Sequence, residues 1–175
     1  MALYYLPVVQ LVYVRTEESG KILAAHRPVR PSQFTNGGVQ VHVTVAQTMM
    51  RNDRASEMLG MAVLVNEPGH SVVTMTVRDD MLNGFAITHG GFVFALADTA
   101  FAIACNDSEF VTVAAGGDIT FLKSTTSGDV LTATALERAK AGRSGIYDVQ
   151  VVDADGAIVA EFRGRSRRTS SPAPV

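Results

Sequence analysis

From Phe92 to Cys105 the chain reads FVFALADTAFAIAC, and Asp98 is the only residue in that run whose side chain carries charge. The run is long for a strand and holds Ala, Leu and Phe with few β-branched residues, which predicts a helix. It is apolar nearly all round, so another layer of structure must enclose it. The sequence that follows can supply this layer. Four strand-like stretches, 111–123, 129–138, 144–153 and 157–165, are separated by turns at Ser127-Gly128, Ala141-Gly142 and Asp155-Gly156. These connections leave no room for crossover helices, so the sheet is expected to be antiparallel. The predicted class is α+β: a long central helix wrapped by a curved antiparallel sheet.

Upstream, Val45 to Leu59 has apolar residues at helical spacing and stops at Gly60. The stretch 61–78 reads as two strands around a Glu67-Pro68-Gly69 turn. Met1 to Val14 is apolar, but shorter than the roughly 20 residues that span a bilayer. It also lacks a basic start and a small-residue cleavage site. A hairpin through Glu18-Ser19-Gly20 fits it better, followed by a linker rich in Pro, Gly and Asn. Residues 1–40 are therefore expected to be an extension, hairpin-like or disordered, 41–168 the main domain, and 169–175 a disordered tail. Met49 or Met50 offers a second place where such a domain could begin. A net charge of −2 gives no global reason to expect nucleic acid or an anionic membrane as a partner. Cys105 is the only cysteine, which excludes an internal disulfide or a thiolate cluster. His26, His42, His70 and His89 lack ligand spacing, so no metal site is expected. Asp153-Ala-Asp155-Gly156 lacks the later ligands of a calcium loop and reads as a hairpin turn.

An isolated acid on an apolar helix is costly to bury, so it tends to stand at a cleft or shift its pKa. Just before the helix stand Asn83, His89 and the pair Gly90-Gly91. If the helix begins near Gly90, its first N–H groups have no intrahelical partner and carry the positive end of the dipole. Such an end can hold a carbonyl oxygen that becomes an oxyanion, and glycine lets a substrate approach the backbone closely. Asp98 could act on the same carbonyl as a base for water or as a nucleophile. Taken singly, these residues have plainer readings: a turn at Gly90-Gly91 or Asn83-Gly84, a packed histidine, a capping aspartate. Geometry adds a condition, because the eight residues between Gly90 and Asp98 make a rise of about 12 Å. Donor and base must each lie within about 3 Å of the reacting groups. One straight helix cannot bring both to one carbonyl, so an active form would need two chains with symmetric sites.

The set Asn83, His89-Gly90-Gly91 and Leu96-Ala-Asp98-Thr-Ala100, followed by Asp118-Ile-Thr-Phe-Leu122 and Phe162-Arg-Gly164, resembles the hot-dog-fold acyl-CoA thioesterases of the phenylacetic acid degradation (hydroxyphenylacetyl-CoA thioesterase) type. The similarity runs from about Ala46 to Arg168 and includes Arg51-Asn52-Asp53 and Val72 to Thr76. It implies hydrolysis of aryl- or phenylacetyl-type CoA thioesters to free acid and coenzyme A by a cytoplasmic homodimer, commonly assembled into a homotetramer. Asp98 would be base or nucleophile, Gly90 N–H would hold the thioester oxygen, and Asn83 and His89 would position water or thioester. Coenzyme A would be part of the substrate, and no separate cofactor is implied.

Related enzymes often carry a Ser or Thr on the strand after the helix. Here that strand reads Val111-Thr-Val-Ala-Ala-Gly-Gly117, where Thr112 comes early. Leu82, Phe85 and Gly91 are candidate substrate contacts, the first two lining an acyl pocket. Arg143, Ser144, Arg163 and Arg165 are candidates for the coenzyme A phosphates. A solvated strand end is the plainer reading of the arginines. A non-catalytic acyl-CoA binding or sensing module on the same fold is the alternative function, and an enoyl-CoA hydratase a third.

Overall fold

The computed structural model describes residues 12–15, 22–25, 45–106 and 109–172. The chain divides into two compact units, Met1–Val41 and His42–Val175. In the first, β1 (Val12–Arg15) pairs antiparallel with β2 (Ile22–Ala25). The expected turn between them and the linker after Ala25 lie outside the described residues, as do 173–175.

The second unit is built on α3 (Gly90–Cys105). Against it lies a six-stranded sheet of β3 (Ala62–Glu67), β4 (His70–Thr76), β5 (Phe110–Phe121), β6 (Val130–Ala141), β7 (Ser144–Val152) and β8 (Ile158–Pro172). The order is β3-β4-β6-β7-β8-β5, and every neighbouring pair is antiparallel. α3 touches all six strands. The expected α+β arrangement, a central helix wrapped by an antiparallel sheet, is the one found.

Small residues make the close fit possible. Ala97, Ala100 and Ala104 put almost no bulk between α3 and the sheet, and all are fully buried. Opposite them, the Phe101 ring fills the place where Gly164 would carry a side chain: a Cβ there would lie 2.7 Å from the ring. Phe101 also contacts Tyr147 and Phe162, with ring centroids 5.5 and 5.9 Å away. Ser71 Oγ donates to the carbonyl of Ala100 at 2.6 Å, which satisfies a buried hydroxyl against the helix backbone.

Three boundaries differ from expectation. The helix predicted over 45–59 is two, α1 (Val45–Asn52) and α2 (Arg54–Met58). Asp53 ends the first by capping the second, accepting from the N–H groups of Ala55 and Ser56 at 3.1 Å each. The long helix reaches two residues beyond the apolar run Phe92–Cys105 and starts at Gly90, the start on which the oxyanion reading depends, because His89 caps it. Thr169–Pro172, expected as disordered tail, belong to β8. Pro172 pairs with Phe110 and Thr169 Oγ1 donates to the Val111 carbonyl, so the length of β5 sets the length of β8.

Candidate active site at the start and middle of the long helix

Residues 81–91 fold back on themselves before entering α3. His89 N–H donates to the Met81 carbonyl at 2.9 Å, Leu82 bridges Thr88, and Asn83 N–H donates to the Ile87 carbonyl at 2.8 Å. At the tip Ala86 has a φ of +58°, a left-handed conformation that costs a non-glycine residue free energy. It is held by a bond from its own N–H to the Asn83 carbonyl and one from Thr126 Oγ1 to its carbonyl. Thr88 and Thr125 join their buried hydroxyls at 2.7 Å and tie the loop to the chain after β5. Asn83, His89, Gly90 and Gly91 therefore come together in one rigid turn.

The first turn of α3 has one donor left over. Gly91 N–H donates to His89 Nδ1 at 3.0 Å, and Phe92 N–H to the His89 carbonyl at 2.9 Å. Gly90 N–H has no partner among the described residues. Because Nδ1 accepts, the neutral imidazole carries its proton on Nε2, which makes that atom a second donor. Asn83 Oδ1 accepts from Phe85 N–H at 2.8 Å, leaving the Asn83 amide NH₂ as a third. Three donors without a partner among the described residues, at the positive end of a helix, suit a developing oxyanion and the groups around it.

Asp98 stands two turns further along the same unbroken helix. It is half-buried and has no hydrogen-bond or ion-pair partner among the described residues. Burial pushes its carboxyl above the usual carboxylate range. Thr99 beside it meets Ser56 Oγ at 3.2 Å, and Ser56 donates to Asp53 Oδ2 at 2.7 Å, so the α1–α2 junction is anchored to this turn of α3. Thr112 is engaged elsewhere: its N–H and carbonyl bond the Asn106 side chain at 2.9 and 3.0 Å, closing the far end of the helix.

The remaining candidates scatter. Leu82 is half-buried at the loop base and Phe85 is 86% exposed at its tip. Arg143 and Ser144 lie at the β6–β7 turn, where Ser144 Oγ accepts from Arg167 at 3.0 Å. Arg163 and Arg165 project from the sheet face opposite α3. Arg163 is bidentate to Asp148 at 2.6 and 3.0 Å and Arg165 to Asp118 at 2.9 and 3.0 Å. Those arginines hold both aspartates below the usual carboxylate range. Among the described residues no cluster of three or more His, Cys, Asp or Glu could hold a metal ion, and no helix is long and apolar enough to cross a membrane.

One contact at the site escapes a reading of the sequence. The ring of Phe121, at the end of β5, lies against Gly90. Its only sequence signal is its place in the Asp118–Leu122 motif; the pairing with Gly90 depends on how β5 runs along the helix.

Residues 85–160 match the family model described as the thioesterase superfamily. The chain is 45% identical over 123 residues to the acyl-coenzyme A thioesterase PaaI of Escherichia coli K12, covering 70% of this chain and 88% of that protein. The solved structure of the E. coli PaaI protein from the phenylacetic acid degradation operon superposes with a TM-score of 0.71 at 43% identity, covering 73% and 92% of the two chains. A Streptococcus mutans protein solved bound to acetyl CoA matches with a TM-score of 0.61 at 27% identity, over 64% of this chain and 90% of that one.

Proposed function

Since the chain belongs to the thioesterase superfamily, with its hot-dog fold, and is a thioester hydrolase, we propose that it hydrolyses aryl- or phenylacetyl-type CoA thioesters at a site shared between two copies of itself. The observation that carries this reading is the pair of unpartnered groups on one helix, Gly90 N–H at its start and the Asp98 carboxylate two turns on. Both have chemistry to offer, and they are too far apart to meet at one carbonyl.

In this reading the thioester oxygen accepts a hydrogen bond from Gly90 N–H of the partner subunit, which stabilises the charge that grows as the carbonyl carbon becomes tetrahedral. Asp98 takes a proton from a water that attacks this carbon, and its raised pKa makes it a stronger base than an ordinary carboxylate. The intermediate then expels coenzyme A thiolate, which takes up the proton from Asp98, and the free acid leaves. In the alternative route Asp98 attacks directly and water opens the resulting anhydride. The amide of Asn83 and Nε2–H of His89 orient thioester and water. Leu82, Phe85 and Gly91 shape the acyl side. Arg143 and Ser144, at an exposed turn, suit the phosphates of coenzyme A better than Arg163 and Arg165, whose guanidinium groups already hold carboxylates. The chemistry calls on no group beyond these side chains and the substrate.

The dimer has its own support. Among the described residues β5 has a neighbouring strand on one side only, and Val113 and Phe121 along it are 46 and 52% exposed. An edge strand with apolar residues invites a second strand. Pairing of two such edges would bring two long helices side by side. A homotetramer built from two such dimers, and a cytoplasmic location, where acyl-CoA thioesters are handled, complete the proposal.

A panel of acyl-CoA thioesters followed by free-thiol release and by double-bond hydration tests the activity. The expected result is thiol release, fastest with phenylacetyl-type acyl groups and lost in Asp98→Asn while the oligomer persists. Near-native turnover by that variant would sink the assignment of Asp98.

A further inference from the structure

Gly90 is surrounded in a way the proposed reaction does not explain. If residue 90 carried a Cβ, it would lie 2.9 Å from Phe121 Cζ and 3.2 and 3.4 Å from Cε2 and Cε1. Real Cβ atoms do not approach aromatic carbons so closely, so the ring occupies the space a side chain would need. The backbone at Gly90 is helical, and its φ is not among the positive values, so conformation alone does not demand glycine here. The demand comes from Phe121.

Phe121 shares the inner face of β5 with Ile119, two residues before it, which packs against the core. It ends β5, and the next two N–H groups, of Leu122 and Lys123, both donate to the Val159 carbonyl at 2.9 and 3.2 Å. The backbone under the ring is thus fixed to β8. One side of the ring meets the first residue of α3, and about half of it remains exposed at 52%. Its tip stands where a side chain on Gly90 would begin, at the residue whose N–H has no partner among the described residues.

We propose that Phe121 is the positioning residue of the oxyanion donor. Its ring buttresses the first turn of α3, and a side chain at position 90 would have to push that ring aside. A hydrogen bond in a dry, preorganised site stabilises developing charge far more than one in water. The inference deepens the reading of Gly90 as that donor and rests on it.

The test is a double-mutant cycle on the full-length protein with phenylacetyl-CoA, reading kcat and KM separately. Gly90→Ala retains the N–H but forces its methyl against the ring. It should lower kcat by about a hundredfold, the loss expected from displacing a catalytic group by about 1 Å. Phe121→Ala should lower kcat by about tenfold and leave KM within about twofold, because an interaction made in the transition state is weakened. In the Phe121→Ala background, Gly90→Ala should cost less than about threefold, since the methyl then has room. Phe121→Leu, which keeps most of the bulk, should lie between native and Phe121→Ala and serves as the second background if Phe121→Ala does not fold. Melting curves and the oligomeric state of each variant separate folding and assembly from catalysis. An equal loss from Gly90→Ala in both backgrounds overturns the proposal, since the methyl would then obstruct substrate rather than ring. A rise in KM with unchanged kcat in Phe121→Ala or Phe121→Leu overturns it too, because the ring would then bind substrate uniformly. Absence of thiol release by the native enzyme defeats the underlying reading instead, so the two failures are told apart.

Discussion

Separation along one helix becomes a measurable fraction of activity when subunits are mixed. Take two variants, Asp98→Asn and Gly90→Pro. The first removes the acid. The second removes the donor N–H at the first helical position, where proline fits the backbone, and its ring also presses on Phe121, so that chain's donor side is disabled on both counts. Eight residues of α3 lie between the two groups, a rise of about 12 Å, whereas each must come within about 3 Å of the substrate carbonyl. Each homodimer then has two defective sites. In a mixed dimer the intact Asp98 of one chain faces the intact Gly90 of the other, giving one whole site and one carrying both defects. Equal mixing makes half the dimers mixed, and half of their sites whole, so the pool should recover roughly a quarter of native specific activity. Distinguishable tags on the two variants allow the mixed species to be isolated after subunit exchange, and thiol release from phenylacetyl-CoA reads the recovery. If isolated mixed dimers stay at the background of the parents, acid and donor act within one chain and the two-chain argument is wrong.

Titration and packing give two more expectations. Burial raises the pKa of Asp98, so kcat/KM should climb with pH through a midpoint above the ordinary value of about 3.9, and a profile flat through that range would count against Asp98 as the base. The sign for stability is opposite: the folded state holds a proton over a window where the unfolded chain has released it, so native stability falls as pH rises through that window. Asp98→Asn should therefore melt higher than native at neutral pH, with the difference vanishing below the ordinary range; an equal difference at all pH values would refute the burial argument. In the core, Gly164→Ala places a methyl 2.7 Å from the Phe101 ring. It should cost about 1–3 kcal/mol, or several degrees in Tm, and be partly rescued by Phe101→Leu; an unchanged Tm would show that the ring moves aside freely.

What could be read from the chain, and what could not, follows from how far each contact reaches. Asp98 and Gly90-Gly91 stood out because charge and glycine are rare inside an apolar run, and rarity is local. The break at Asp53 was harder to see. Its polar neighbours fit the exposed side of one helix as well as the junction of two, and the Ser56–Thr99 contact that anchors the junction to α3 spans 43 residues. The extension of β8 to Pro172 was hidden too, since Thr, Ser and Pro read as a tail until β5 gives them a partner. Nothing local marks Phe121 within the Asp118–Leu122 motif, because its contact with Gly90 is set by sheet register. The arginines show the same limit, as Asp118 and Asp148 become partners of Arg165 and Arg163 only once β5, β8 and β7 lie side by side.

That last contrast gives Asp98 its meaning. Asp118, Asp148 and Asp153 all lie below the usual carboxylate range because each has a cation against it. An aspartate paired in this way is a poorer base, since its proton affinity has been reduced by the partner. Burial pushes Asp98 the other way, and among the described residues it has neither cation nor backbone donor to offset that burial. A carboxylate kept only for packing would be replaced by a neutral residue of similar size at no cost in contacts and some gain in stability. Leaving it half-buried and unpartnered costs free energy in the resting chain and preserves basicity for the moment a water or thioester arrives. The same logic governs Gly90 N–H, an orphan donor that a side-chain cap could have satisfied, as His89 satisfies Gly91. Both groups stay unsatisfied on one helix, at a separation that prevents either from quenching the other, and a second chain can complete both sites at once.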